Sequence, residues 1–584
     1  MAATLQITDE AFRLKLCASG ETPAPLTRLH AARRDTAAFQ LIVQSDHQYS
    51  VNTGRGYWVC VKNEWLEGAH EYLRAELRAP FPASMSIEEF VTDDDELEKA
   101  DLLLADEVRE SRAHLPTAVW AEIAVPEDAA PGDYPVEVRL YSRSGLDDET
   151  LVRRETLTLS VADVTLAPPA EWSFRLDLWQ HTSNIARRHD VPLWSDAHFD
   201  VLRNYAESLA ALGQKSVTVV ASEIPWRGQS CHREHRYGGN LYEYSMIGLT
   251  RGTDGALRYD YSAMQRYIDL CTAAGITGDI EVIGLVNVWF VPDPKAIPTF
   301  PEAPLCPDYP EPIRLRYYDE ADGCIKYVRQ REEICDYVRA LEDYFVRTGQ
   351  IGRVRIAADE PGDIEKYRAS LALLAELAPR FRCKTAINHA EFIEEFHDRI
   401  DDFAPFLRCA VVEHERLQQY RREYPDKRFL WYVCCGRGVP NTFLRSPLVE
   451  SRVIGVLTSA FRLDGFLRWA YTAWPGDPRV DARYSAFDAG DCFFVYPAKN
   501  GGVLLSLRYK NLQRGIADYE LLERLRREKG DAAADEILAS LLRTKDFRDF
   551  WRGDEELLPA ESLYSLDWRD YDAAKARVLE LLGA

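Results

Sequence analysis

Between residues 173 and 471 the chain repeats one pattern, a short apolar run suited to a strand followed by a stretch with helical spacing. The strand-like runs are Ser173–Gln180, Ser216–Ser222, Asp279–Val286, Arg353–Ala358, Arg382–His389, Cys409–Glu413, Arg428–Cys434 and Gly465–Tyr471. Helical patterns over Ala197–Leu212, Tyr261–Ala274 and Arg331–Val346 follow the first three, and two of them stop at a glycine, Gly213 and Gly275. Eight strands with helices between them over about 300 residues is the count for a (β/α)8 barrel. Long insertions after the second strand (Glu223–Asp260) and the third (Asn287–Tyr327) read as walls or lids on its catalytic face.

The flanks read differently. Residues 1 to about 165 carry short β-rich runs divided by Pro/Gly/Asp turns: Ala37–Gln44, Tyr57–Lys62, Ala118–Val125, Tyr134–Tyr141 and Leu157–Ala162. That pattern predicts an antiparallel β-sandwich. Thr92–Glu96 is an acidic loop whose spacing fits no calcium loop. Leu166–Glu171, with two prolines, reads as a linker. Beyond about 480, strands at Asp488–Pro497 and Gly502–Leu507 and helices at Tyr509–Glu528, Ala532–Leu542 and Tyr571–Leu582 predict a small appendage. The expected domains are a sandwich over 1–168, a barrel over 169–478 and an α+β tail over 479–584.

A formal charge of -23 argues against nucleic acid or an anionic membrane as partner. No run is long and apolar enough to span a bilayer, and no secretory leader is visible, so the expectation is a cytoplasmic chain; a processed secreted chain would read the same. The 12 cysteines show no zinc spacing and read as reduced thiols, with Cys434 and Cys435 adjacent. A barrel of this size with a sandwich is also compatible with a homodimer.

The chemistry concentrates at the end of the fourth strand. Asp359 and Glu360 close the run, and Pro361 ends the ladder. Asp363 is placed to cap the helix that follows. Two carboxylates at a barrel mouth suggest glycoside hydrolysis. Ordinarily the two acids flank the scissile bond from different strands, and here they are neighbours. Neighbours suffice where the substrate supplies its own nucleophile, as the carbonyl oxygen of a 2-acetamido group does. One carboxylate then holds the amide N–H and the other serves as acid and base. Two like charges about 4 Å apart repel by about 4 kcal/mol at an effective dielectric near 20, so an ionised Asp359 favours a proton on Glu360. Consecutive residues on a regular strand face opposite ways, so the strand must twist or bulge here. The plainer alternative is that both acids decorate a helix N-terminus.

Several segments resemble family 123 glycoside hydrolases, the β-N-acetylgalactosaminidases. They are Ala358–Pro361, Trp431–Cys435 with Pro440–Phe443, Gly465–Trp469 with Trp474, Asp488–Asp491, Tyr496–Pro497 and Ser506–Glu520. The resemblance implies a substrate-assisted retaining mechanism on a carbohydrate, with no metal or organic cofactor. Asp359 would orient the acetamido group and Glu360 would be the acid/base. Arg468 and the two insertions depart from the family's pattern and would shape what lies beyond the sugar.

Candidate sugar contacts are Asn388 and His389 after strand five, Trp431 and Tyr432 on strand seven, Trp469 and Trp474 at strand eight, Asn287 and Trp289 after strand three, and Asp491 from the tail. Core packing is the competing role for each tryptophan, and Asp491 could simply cap a turn. Glu413 and Glu415 are the rival acids. With Glu413 as nucleophile the enzyme would be an ordinary two-carboxylate retaining glycosidase on a sugar without the acetamido group. A non-catalytic carbohydrate-binding protein is the alternative outside enzymology.

Overall fold

The computed structural model of the chain describes residues 3–16, 23–54, 70–104, 108–145, 147–225, 242–286, 313–362, 364–436, 438–484, 487–553 and 557–583. The expected strand Tyr57–Lys62, the cap Asp363 and the candidates Asn287 and Trp289 lie outside these residues.

The N-terminal part is two six-stranded sheets packed face to face over an aliphatic core. The first sheet, with Thr36–Gln44 and Thr117–Ala124 at its centre, is antiparallel throughout. The second, centred on Gly132–Ser144, is mostly antiparallel. Two of its pairings are parallel, Arg28–Arg33 on Thr150–Thr165 and Gln48–Asn52 on His70–Arg78. The acidic stretch at 92–96 is a hairpin turn. Lys99 reaches back to Asp93 and Asp95, and Asp94 accepts the Ala489 backbone N–H at 2.7 Å.

Next comes a nearly closed barrel of eight parallel strands: β1 (Arg175–Leu178), β2 (Ser216–Val220), β3 (Asp279–Ile283), β4 (Val354–Ala358), β5 (Arg382–Ile387), β6 (Ile400–Pro405), β7 (Arg428–Tyr432) and β8 (Gly465–Arg468). Six neighbouring pairs, β2–β3 to β7–β8, follow sequence order, and β8 also pairs with β1. Between β1 and β2, side-chain amides replace most of the ladder. Gln214 Oε1 accepts from the Leu178 N–H at 2.9 Å, and Gln180 Oε1 accepts from the Thr218 N–H at 2.7 Å.

The sixth strand corrects the sequence reading. Cys409–Glu413, expected as a strand, belongs to helix Leu407–Val412 and its junction with helix His414–Glu423. The strand is Ile400–Pro405, eight residues earlier. Its inward side chain, Asp402, is charged, whereas the apolar run after it covers the strand from outside.

That charge belongs to a pattern. The floor of the barrel is a ring of ion pairs: Arg175 with Asp279 (2.6 Å), Asp279 with Arg428 (3.0 Å), Arg428 with Asp402, and Asp402 with Arg355 (3.1 Å). One layer up, Lys384 joins Asp177 and lies 3.3 Å from Glu281. Burial beside Asp177 pushes the Glu281 carboxyl well above the usual carboxylate range. Glu281 therefore favours its protonated form beside the single lysine of this layer.

Outside the barrel, helix Leu448–Ala460 is buried along its whole length under helix Leu507–Lys529. The two cross at bare backbone: a Cβ on Gly455 would lie 1.8 Å from the Gly515 carbonyl oxygen. The far side of Leu507–Lys529 reaches helix Asp196–Ala211, where Tyr509 donates to the Ser208 carbonyl at 2.6 Å. The tail helix thus occupies the place of an eighth outer helix in the ring. Asp101 of the sandwich, bonded to Arg508 and Arg13, ties the first domain to it.

Candidate active site

The ion-pair floor sets the phase of every barrel strand, because side chains alternate with period two. Counting upward in twos from Arg355, Lys384, Arg428 and Gly465 leads to Asp359, Asn388, Tyr432 and Trp469. These four stand at the carboxyl ends of β4, β5, β7 and β8, on the inward register. In barrels of this kind that end carries the chemistry.

Glu360 is out of phase and would face outward on a straight strand. Its backbone is left-handed instead, with φ of +41°. Its N–H donates to the Ala386 carbonyl of β5 at 3.1 Å, and Pro361 follows. For a residue with a Cβ this conformation costs roughly 1–2 kcal/mol. It turns the carboxylate back over the mouth, where the Tyr432 hydroxyl donates to Glu360 Oε1. The same phenol lies 3.4 Å from Asn388 Oδ1. Burial, then the carboxylates of Glu360 and Asp359, push the Tyr432 phenol far above its ordinary range. Glu360 thus meets the phenol directly, while Asp359, at the inward end of β4, adds only its charge to the phenol's shift. The Cys434 thiol is also raised, through its contact with Cys435, by burial and by the Glu360 and Asp491 carboxylates.

The other expected contacts divide. Trp469 is half-buried, edge-on to His181 at 5.9 Å and against Phe487 at 5.7 Å, and forms a wall of the mouth. Its indole N–H donates to Asp491 Oδ2 at 3.1 Å. Asp491 itself is wholly buried and paired with Arg468 at 2.6 Å, so it stands behind the wall.

Arg468, expected to shape the region beyond the sugar, is 0% exposed and faces away from it. Trp431 also corrects the sequence reading. It is one residue out of phase with Tyr432, its N–H donates to Thr458 at 2.7 Å, and its ring packs on Phe461 and Phe466 under the outer helices. Trp474 is likewise in the core, donating to the Val495 carbonyl at 2.8 Å beside Tyr205.

His389 is on the rim and half exposed, with Nδ1 3.8 Å from Glu413 Oε1. Glu413, the rival nucleophile, is occupied there. It lies 3.4 Å from the Ala390 N–H and 3.5 Å from Arg416. Glu415 is exposed on the first turn of helix His414–Glu423. His181 and Asn441 were missed by the sequence reading. His181 follows β1 as His389 follows β5, and the same strand-end rule would have found it. Asn441 sits in a loop and carries no such signal.

The insertions after β2 and β3 build a four-stranded sheet, Gly248–Arg251, Leu257–Asp260, Arg316–Asp319 and Cys324–Tyr327. Beside it is a cleft of about 650 Å³ walled by Trp194, Phe199, Met246, Arg266 and Tyr318. Among the described residues no group of three or more His, Cys, Asp or Glu side chains could hold a metal ion, and no helix is long and apolar enough to cross a membrane.

The family model for the catalytic domain of glycoside hydrolase 123 matches residues 179–525. Among solved structures, a family 123 glycoside hydrolase from Clostridium perfringens, described in terms of glycolipid glycan hydrolysis, superposes with a TM-score of 0.73 at 16% identity, over 99% of this chain and 97% of that one. A β-D-glucuronidase from Dictyoglomus thermophilum is matched over 88% of this chain and 69% of that one, at 9% identity and a TM-score of 0.29. A search of curated proteins finds no match.

Proposed function

Because the chain belongs to glycoside hydrolase family 123, we propose that it is an exo-acting β-N-acetylhexosaminidase that releases β-linked N-acetylgalactosamine with substrate assistance and retention. The observation that supports this reading is the left-handed turn at Glu360, which swings the second of two adjacent acids back onto the Tyr432 phenol at the barrel mouth.

In the first step the acetamido carbonyl oxygen attacks the anomeric carbon. The bond to the aglycone oxygen breaks, and that oxygen takes the proton of Glu360. Asp359 accepts the acetamido N–H and offsets the positive charge of the oxazolinium-like ring. In the second step water attacks the same carbon, gives its proton to Glu360 and reopens the ring. No third carboxylate is required. Glu413, the rival, is held by His389, the Ala390 N–H and Arg416. Tyr432 and Asn388 border the acid, and Trp469 gives the sugar an apolar face.

The test is hydrolysis of nitrophenyl β-glycosides with and without a 2-acetamido group. The reading expects turnover of the acetamido sugars alone and tight binding of a thiazoline that mimics the cyclised intermediate. Asp359→Asn should lose rate even with activated leaving groups, because ring closure depends on it. Glu360→Gln should lose about 10²–10⁴-fold with poor leaving groups and much less with aryl ones in the first step. Cleavage of plain galactoside or glucoside, or full activity in Asp359→Asn, would overturn the assignment.

A further inference from the structure

Behind Trp469 is a closed polar network that the reaction itself does not use. Asp491 Oδ1 accepts from Arg468 Nη2 at 2.6 Å, and Oδ2 accepts from the Trp469 indole N–H at 3.1 Å. Arg468 Nη1 donates to the Val433 carbonyl at 3.0 Å and to Asn441 Oδ1 at 3.3 Å. Asn441 Nδ2 in turn donates to the Cys434 carbonyl at 3.0 Å. One buried carboxylate thus holds the wall on β8 and, through the guanidinium, the backbone directly after Tyr432 on β7. Arg468 and Asp491 are both 0% exposed.

A buried ion pair is weak support for stability, because desolvation offsets most of its attraction. Two apolar side chains of like volume would fill this space as well. They could not orient an indole by its N–H or fix two carbonyls.

We propose that Asp491 and Arg468 are positioning residues that set the plane of Trp469 against the sugar and the height of Tyr432 against Glu360. This deepens the glycosidase reading above and rests on it for the identity of the sugar. The chemistry predicts a particular failure in Asp491→Asn. An amide has one acceptor oxygen and one NH2 donor. With its oxygen turned to Arg468, its donor meets the Trp469 N–H, and the ring must rotate away.

The experiment is a double-mutant cycle of Asp491→Asn and Trp469→Phe on the full chain, read as kcat and KM separately, with the pH profile and melting temperature alongside. Phenylalanine keeps an aromatic face and removes the N–H. Each single variant should raise KM for an alkyl β-glycoside of N-acetylgalactosamine about tenfold, the value of one buried hydrogen bond, and leave the alkaline limb of the pH profile in place. The double variant should be no worse than Asp491→Asn alone, since both remove the same link. Effects that multiply, or a lowered melting temperature in Asp491→Asn with KM intact, would overturn the proposal.

Should Asp491→Asn not fold, Trp469→Phe decides alone, because it leaves the ion pair whole. A raised KM at an unchanged melting temperature supports the proposal, and an unchanged KM refutes it. Should wild type hydrolyse only sugars without the acetamido group, the substrate reading fails. The same cycle on that substrate still decides the coupling.

Discussion

Replacing Tyr432 by phenylalanine tests the acid directly. The phenol donates to Glu360 Oε1 from a buried position, and its ring packs against Phe406 at 5.3 Å. Phenylalanine keeps the ring and deletes one donor. A hydrogen bond to a charged acceptor contributes about 1.5–3 kcal/mol. A neutral carboxyl accepts the same bond more weakly, so the difference, about 1–2 kcal/mol, favours an ionised acceptor and is lost with the hydroxyl. At about 1.4 kcal/mol per pH unit, the alkaline limb of kcat/KM should move up by about one unit. The substrate must need the proton, so the assay uses an alkyl glycoside or disaccharide of N-acetylgalactosamine between pH 4 and 10. With a nitrophenyl leaving group the limb would largely vanish. The wild-type limb does not report the phenol itself, which burial and the Glu360 and Asp359 carboxylates hold far above ordinary tyrosine. An alkaline limb that stays in place or moves down would refute the reasoning, because Glu360 would then not be the proton donor that Tyr432 touches.

Three further predictions concern stability. Glu360→Gly should be more stable than Glu360→Ala by about 1 kcal/mol in urea melts, because only glycine adopts the left-handed backbone without strain; equal stability would remove the strain. Glu88, buried in the sandwich with both carboxyl oxygens unpartnered among the described residues, is pushed up to about 8 by burial. Between its ordinary 4.5 and 8 the unfolded chain ionises and the folded chain does not, so stability falls across that window by up to roughly 5 kcal/mol; Glu88→Gln should abolish the fall, and melts at pH 5 and 8.5 check it. Lys384→Met leaves Asp177 and Glu281 without their cation and should cost about 3–5 kcal/mol at pH 7, read as the midpoint of urea melts; an unchanged midpoint would mean that the lysine does not hold the layer together.

The elements easiest to read from sequence were those with a clear apolar period. Helix Asp196–Ala211 and strand Val354–Ala358 were found to within a residue or two. Helix Leu448–Ala460 carries no such period, because burial on all sides erases the polar face that marks a helix. The two parallel pairings in the second sandwich sheet, one between strands about 130 residues apart and one between strands about 22 apart, were not legible, because strand pattern carries no information on partners or their direction. In the site, the two acids are legible as a motif, and so is the need for the strand to twist or bulge there, but the form the break takes is not. Nothing in the letters Asp-Glu-Pro signals a positive φ at glutamate. That conformation is set by the Ala386 carbonyl of the neighbouring strand.

The misplaced tryptophan shows what kind of information was missing. Trp431 and Tyr432 are adjacent on β7, so only one of them can face the barrel interior. An apolar interior, the usual case, would assign that face to Phe429 and Trp431. Here the interior floor is charged, so the inward residues are Arg428 and then Tyr432, and the apolar side of the strand faces the outer helices. The ion-pair ring that hid β6 from its apolar pattern therefore also set the opposite phase at the rim. Read upward from charged side chains instead of apolar ones, Arg355 leads to Asp359, Lys384 to Asn388 and Arg428 to Tyr432. A barrel whose strands carry Arg, Lys and Asp at alternate positions near their starts should have its mouth residues counted from those charges.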